Sequence, residues 1–190
     1  SACLVGSEMC IRDRGNAAYL RNKFGTKIAM HKDDSGMVER GDMLYNRNKQ
    51  NILFRTMFKL FFRLSKSDRF KPDIIVDEGH DLSAHGFDAV VLNLPGHSKG
   101  SVGILAASGD LFCGDLLVNT DKPEKNTLVD DPSELGASVE KLKRLPIITV
   151  YPGHGQPFPM EPASGRTGET GSSWPRRRMS RQTLPGRGYG

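Results

Sequence analysis

No run in the sequence approaches eighteen consecutive apolar residues, so nothing in it reads as a transmembrane helix. Cysteine is scarce. Cys3, Cys10 and Cys113 are three in 190 residues, an odd and sparse set that argues against a disulfide framework and agrees with a reducing compartment. A basic stretch leading into an apolar segment of a secretory signal is also missing at the start, and the expected setting is cytoplasmic. Internal repeats are absent, which excludes a solenoid or propeller. What is present fits one globular domain: charged residues make up 26%, and the apolar share is ordinary once glycine is counted with it.

Net charge is +5, but it is unevenly placed. Residues 161–190 hold six arginines (Arg166, Arg176, Arg177, Arg178, Arg181, Arg187) against Glu161 and Glu169, a net of +4. Residues 1–14 balance, which leaves residues 15–160 at +1, with nineteen basic and eighteen acidic side chains. A basic face for specific nucleic-acid binding is therefore not expected on the body of the chain, and any attraction for polyanions would come from the arginine-rich end.

Three zones follow from composition and periodicity. Residues 1–14 show neither period of secondary structure and no cap leading onward, and they read as a non-native leader. Residues 15–162 carry the pattern of a domain. Asn16 caps an expected helix Ala17–Phe24 closed by Gly25, and a strand Lys27–Met30 and a polar helical stretch Asp33–Gly41 come next. A long amphipathic run, Asn48–Ser65, has Arg55, Lys59, Arg63 and Lys66 on one stripe. Strands are expected at Asp73–Val76, Asp81–Ala84, Phe87–Leu94, Val102–Ala106 and Leu111–Cys113, spaced as a meander. A helix Pro132–Leu145, capped by Asp131, and a strand Ile147–Val150 complete a layered α/β sandwich rather than a doubly wound parallel sheet. Residues 163–190 turn to Gly, Ser, Arg and Pro and read as a disordered basic tail, possible read-through rather than native sequence.

Two of the five histidines share one local grammar, a strand followed by Pro-Gly-His and small residues: Leu94-Pro95-Gly96-His97-Ser98 and Tyr151-Pro152-Gly153-His154-Gly155. Between them Cys113-Gly114-Asp115 delivers a carboxylate after a glycine. Two imidazoles and a carboxylate at three strand ends are what a divalent transition metal needs, and the neighbouring glycines let the backbone approach without a Cβ. A single Pro-Gly-His is as easily an exposed turn; the repeated motif with the intervening carboxylate favours a metal site.

The segments LPGHSKGSVG, GDLFCGD and VYPGHG resemble, in order and spacing, the third, fourth and fifth motifs of the metallo-β-lactamase-fold hydrolases, over about residues 15–160. The resemblance implies a partial αββα sandwich. It implies His97 as a ligand of one metal, His154 of a second, and Asp115 as the bridging carboxylate that also helps to position the attacking hydroxide. The implied cofactor is a pair of zinc ions, with iron or manganese in some members, and the implied reaction is hydrolysis of a small ester, thioester, amide or phosphodiester substrate. One departure stands out. Where the family carries its His-x-His-x-Asp-His motif, this sequence has Cys10-Ile11-Arg12-Asp13-Arg14, so the resemblance also implies an N-terminally truncated fragment with an incomplete site and weak or no activity.

Other residues have plainer expectations. His31 reads as a surface or capping residue, and His80 and His85 as solvated turn residues. Cys113 is expected to act as a small core hydrophobe rather than a neighbour of the site. Ser98 and Ser101 lack the surroundings of a nucleophile and are assigned to hydrogen bonding in the metal loop. Lys99 either meets an anionic substrate group or is simply exposed. The run Asn48–Ser65 admits three readings: a cover whose Phe and Met residues line an acyl pocket, an interfacial helix on an anionic membrane, or core packing with a possible self-associating apolar face. Rivals to the hydrolase are a non-catalytic fragment without a metal centre and an interfacial or polyanion-binding module.

Overall fold

The computed structural model describes residues 3–5, 11–42, 45 and 69–160, with the backbone alone for 3–5 and 11–16. The run Asn48–Ser65 and the tail 163–190, with every expectation attached to them, lie outside the described residues. The elements in chain order are β1 (Cys3–Val5), α1 (Ile11–Phe24), β2 (Lys27–His31), α2 (Lys32–Arg40), β3 (Ile74–Val76), β4 (Ala89–Asn93), β5 (Val102–Ala106), β6 (Asp110–Asn119), β7 (Glu124–Lys125), α3 (Pro132–Leu142), β8 (Thr149–Gly155) and β9 (Phe158–Pro159).

Alternation along the strands sorts these elements into four layers. In β2, Ile28 and Met30 pack with Ala18 of α1, Val38 of α2 and Phe70, while Ala29 turns the other way to meet Val76, Ala89, Val91, Val102 and Ala106. In β4, Leu92 joins Leu105, Leu111, Cys113 and Val150 against Leu135, Val139 and Leu142 of α3, on the opposite face from Ala89 and Val91. Helices therefore cover the outer face of a three-stranded parallel sheet, β1-β2-β3. That sheet stacks on a larger one, β4-β5-β6-β8-β9 with β7 on β6, and α3 covers its far side. This is an αββα sandwich, as expected. Among the described residues no helix is long and apolar enough to cross a membrane.

Several boundaries differ from expectation. α1 begins at Ile11 instead of Ala17, because residues 11–16 contain no proline and a glycine inside a helix costs only about 1 kcal/mol. Asp81–Ala84 is not a strand. Only Asp81 pairs, in a single bridge to Val90, and its carboxylate then accepts the Ser83 amide and starts a 3-10 turn, Ser83–His85. The Pro132–Leu145 helix stops at Leu142, although Leu145 still packs against the core.

The two strands carrying site residues run longer than expected, and this moves those residues. β6 continues to Asn119 and β8 to Gly155, so Asp115 and His154 lie within strands rather than beyond their ends. The parallel β6–β8 ladder is continuous only because it slips. Gly114 faces Pro152 and Val118 faces His154, which sets four residues of β6 against two of β8. Asp115 sits in that bulge, where the side chain is re-aimed out of the ladder.

Candidate metal centre

His97 is placed by a loop held from two sides. From the α3 side, the Asp130 and Asp131 amides, just ahead of the helix, donate to the Gly96 carbonyl at 2.9 and 3.0 Å, and Ser138 Oγ within it donates to the Pro95 carbonyl at 2.7 Å. Gly96 is required there, because its φ is +136° and a Cβ would lie 2.5 Å from the Leu135 backbone. From α2, Asp34 accepts the Ser98 hydroxyl and the Gly100 amide, and Ser101 Oγ accepts the Ser98 amide at 3.0 Å. Ser98 and Ser101 thus hydrogen bond within the loop, as expected, and Lys99 is exposed.

Asp115 is buried, and its main chain is tied by Asn126, whose Nδ2 donates to the Asp115 carbonyl at 2.9 Å. Its carboxylate stands between the two imidazoles. His97 Nε2 lies 3.6 Å from Oδ2, and His154 Nε2 lies 3.4 Å from Oδ1. One imidazole is nearly sealed from solvent, with a side-chain exposure of 4%, and the other is open at 57%. The three residues singled out from the sequence are therefore together, with the carboxylate as their common neighbour.

These distances can be set against what a metal ion asks of its ligands. Two donors at 2.0–2.2 Å from one cation, in tetrahedral directions, are about 3.3–3.6 Å apart, the range of both contacts here. Asp115 Oδ1 is buried and has no hydrogen-bond partner among the described residues, which suits an oxygen reserved for a cation. The donors divide into two pairs, one imidazole to each carboxylate oxygen. Accordingly, among the described residues no group of three or more His, Cys, Asp and Glu side chains is arranged around one point to hold an ion. Imidazole and carboxylate are donor types that suit a divalent metal, and each imidazole here would share an ion only with Asp115.

The remaining candidates fall elsewhere. His31 caps α2, its Nδ1 accepting the Asp33 amide at 3.3 Å, but it is buried rather than on the surface. His80 and His85 are half-buried in the turn region, and Cys113 lies in the core cluster under α3. Asp34, Asn126 and Ser138, which hold the ligand-bearing segments, had no signal in the sequence beyond being polar residues near helix starts, in loops or on a helix.

The chain matches the family model described as the metallo-beta-lactamase superfamily over residues 14–154. No curated protein matches it. Among solved structures it is similar to TTHA1623, crystallised in a di-iron-bound form, with 26% identity and a TM-score of 0.61 over 83% of this chain and 71% of that one. It is similar in fold to the B3 metallo-beta-lactamase BLEG-1, with 23% identity and a TM-score of 0.60 over 83% and 71% of the two chains. The archaeal superfamily protein ST1585 from Sulfolobus tokodaii gives 17% identity and a TM-score of 0.61 over 83% and 63%. Family match, layer order and the placement of the two Pro-Gly-His segments agree: the chain belongs to the metallo-beta-lactamase superfamily, a metal-dependent group that includes hydrolases.

Proposed function

We propose that the chain is a metal-dependent hydrolase domain in which His97, Asp115 and His154 hold the metal and Asp115 also positions the attacking water. The observation that carries this reading is the Asp115 carboxylate, buried and facing one imidazole from each oxygen, at 3.6 and 3.4 Å. A bound metal would lower the pKa of a water and polarise the scissile oxygen. The chain's own part is to present both imidazoles through Nε2, to hold the carboxylate between them, and to leave the His154 side open to an incoming substrate. That substrate is a small molecule with an acyl or ester group. Zinc, iron and manganese all suit imidazole and carboxylate donors, and the di-iron form of TTHA1623 makes iron as natural a first choice as zinc. A cytoplasmic setting accompanies this reading.

Two protein donors per ion are fewer than the three that hold a catalytic zinc, so we place metal affinity and turnover of this chain well below those of a full ligand set. A specific observation favours a second reading, a non-catalytic fragment without a metal centre: the described residues offer no set of three donors to one ion. Equilibrium dialysis against zinc, with bound metal read by mass spectrometry, separates the two. The hydrolase reading expects saturable binding that His97→Ala and His154→Ala each weaken at least about tenfold. Absence of saturable binding, or binding indifferent to both substitutions, overturns it.

A further inference from the structure

Asp34, in the first turn of α2, is a buried carboxylate that the hydrolase reading does not use, exposed by only 1%. Both its oxygens are engaged by the loop that carries His97: Oδ2 accepts the Ser98 hydroxyl at 2.6 Å, and Oδ1 accepts the Gly100 amide at 3.0 Å. As a carboxylate Asp34 only accepts, so the Ser98 proton is committed to it. The 2.8 Å contact between Ser98 Oγ and Ser101 Oγ is then donated by Ser101, whose oxygen in turn accepts the Ser98 amide. The chain of donors therefore has one direction and ends on Asp34. Its fit is tight as well: a Cβ at Gly100 would lie 2.6 Å from Asp34 Cγ and 2.8 Å from the Asp34 amide nitrogen.

We propose that Asp34 is the positioning residue for His97. It grips the segment immediately after the histidine at two points, the Ser98 hydroxyl and the Gly100 amide, while Ser138 of α3 and the Asp130 and Asp131 amides just ahead of that helix grip Pro95 and Gly96 immediately before it. Together they set the direction from which the His97 ring meets Asp115. Removing the Asp34 grip frees one side of the loop, and the imidazole loses its fixed bearing on the carboxylate although no ligand has been touched. The partners that orient a ligand are worth about 10–100-fold in metal affinity at sites of this kind. The geometry of the grip stands by itself; its effect on metal affinity rests on the metal-site reading above.

Asp34→Asn is the informative change, because it keeps the shape and turns one accepting oxygen into a donor that faces a donor of the loop; Ser98→Ala, which removes only the hydroxyl bridge, serves as the second variant should the first fail to fold. Cobalt(II) is titrated into each chain, and amide hydrogen exchange is followed in the metal-free chains. We expect cobalt(II) affinity to fall about 10–100-fold in Asp34→Asn, and Asp34→Asn to cause no such fall when it is made in the His97→Ala background. Exchange should quicken at Ser98, Gly100 and Ser101 while the Val91 amide, donated to the His80 carbonyl at 2.9 Å, stays protected. The proposal is overturned if affinity holds in Asp34→Asn while His97→Ala weakens it, or if Asp34→Asn weakens binding equally in the His97→Ala background. Should His97→Ala leave cobalt binding untouched, the metal reading falls, and exchange alone decides. Quickening confined to residues 98–101 then upholds the grip, and unchanged or uniform exchange refutes it.

Discussion

Gly155 passes so close to Asn119 that a Cβ on it would overlap the Asn119 carbonyl. The contact closes the β6–β8 ladder beyond the bulge, with Asn119 Nδ2 donating to the Gln156 carbonyl at 2.8 Å and the Gln156 amide returning to the Asn119 carbonyl. At φ +98° the backbone of Gly155 also lies where a side chain is strained. Gly155→Ala should therefore destabilise the chain by about 1–3 kcal/mol from backbone strain alone, before the overlap is relieved, and displace the adjacent His154. Gly136 supplies the contrast. It sits inside α3, with open space where a Cβ would go, so Gly136→Ala should stabilise by about 0.5–1 kcal/mol. Urea midpoints moving in opposite directions would bear this out, and an unchanged Gly155→Ala midpoint would contradict it.

The α3 side of the His97 loop has its own test. Ser138→Ala removes the hydroxyl that donates to the Pro95 carbonyl and leaves that oxygen partly buried without it. The expected loss is about 1 kcal/mol, which for a chain of this size lowers Tm by about 2–4 °C. A Tm within error of the parent would show that water or a loop adjustment replaces the bond at no cost.

Acid sensitivity should trace in part to Asp77. The side-chain amide of Asn93 and the Glu78 amide donate to its carboxylate, and with the His31 and Lys32 charges nearby they lower its pKa from 3.8 to about 2. A carboxyl depressed in the folded state stabilises the fold above its unfolded pKa, and that contribution fades as pH falls through the folded value. The window is thus from about pH 4 down to about 2. Asp77→Asn, which cannot titrate and lacks that contribution, should lie below the parent in Tm between pH 6 and 8 and converge with it as pH falls to about 2, so that its curve is the flatter across the window. Parallel Tm curves for the two chains would remove Asp77 from the account.

How far the sequence foretold all this depends on the range of the interaction involved. The repeated Pro-Gly-His and the Gly-Asp between them are local patterns, and the structure brings His97, Asp115 and His154 together. Periodicity foretold a layered α/β domain and no more; the αββα order came with the motifs' resemblance, and the alternation of β2, β4 and β5 between the two faces they bury agrees with it. Asp34 was not. Its bond to Ser98 spans 64 residues, and an acidic residue in the first turn of a helix is already accounted for by the helix dipole. The bulge at Asp115 was hidden for a related reason: a register slip exists only between partners, and neither β6 nor β8 carries a mark of it beyond Gly114. The expected strand at Asp81–Ala84 failed because an Asp side chain competed locally for the backbone, a choice that alternation alone does not register.

Asn126 offers a way to perturb Asp115 without touching it. Its Nδ2 donates to the Asp115 carbonyl while its Oδ1 accepts the Leu128 amide at 2.9 Å, so it needs one donor and one acceptor at once. Asn126→Asp keeps the acceptor but sets a second carboxylate oxygen against the Asp115 carbonyl, two acceptors facing each other. Asn126→Ala leaves the Leu128 amide to solvent and the Asp115 carbonyl without this donor, but sets no second acceptor against it. The aspartate variant should therefore be the less stable of the two, although it is the closer in shape. Urea unfolding of both chains checks the order, and an alanine variant that unfolds first would mean that the Leu128 turn, rather than the tie to Asp115, is what Asn126 maintains.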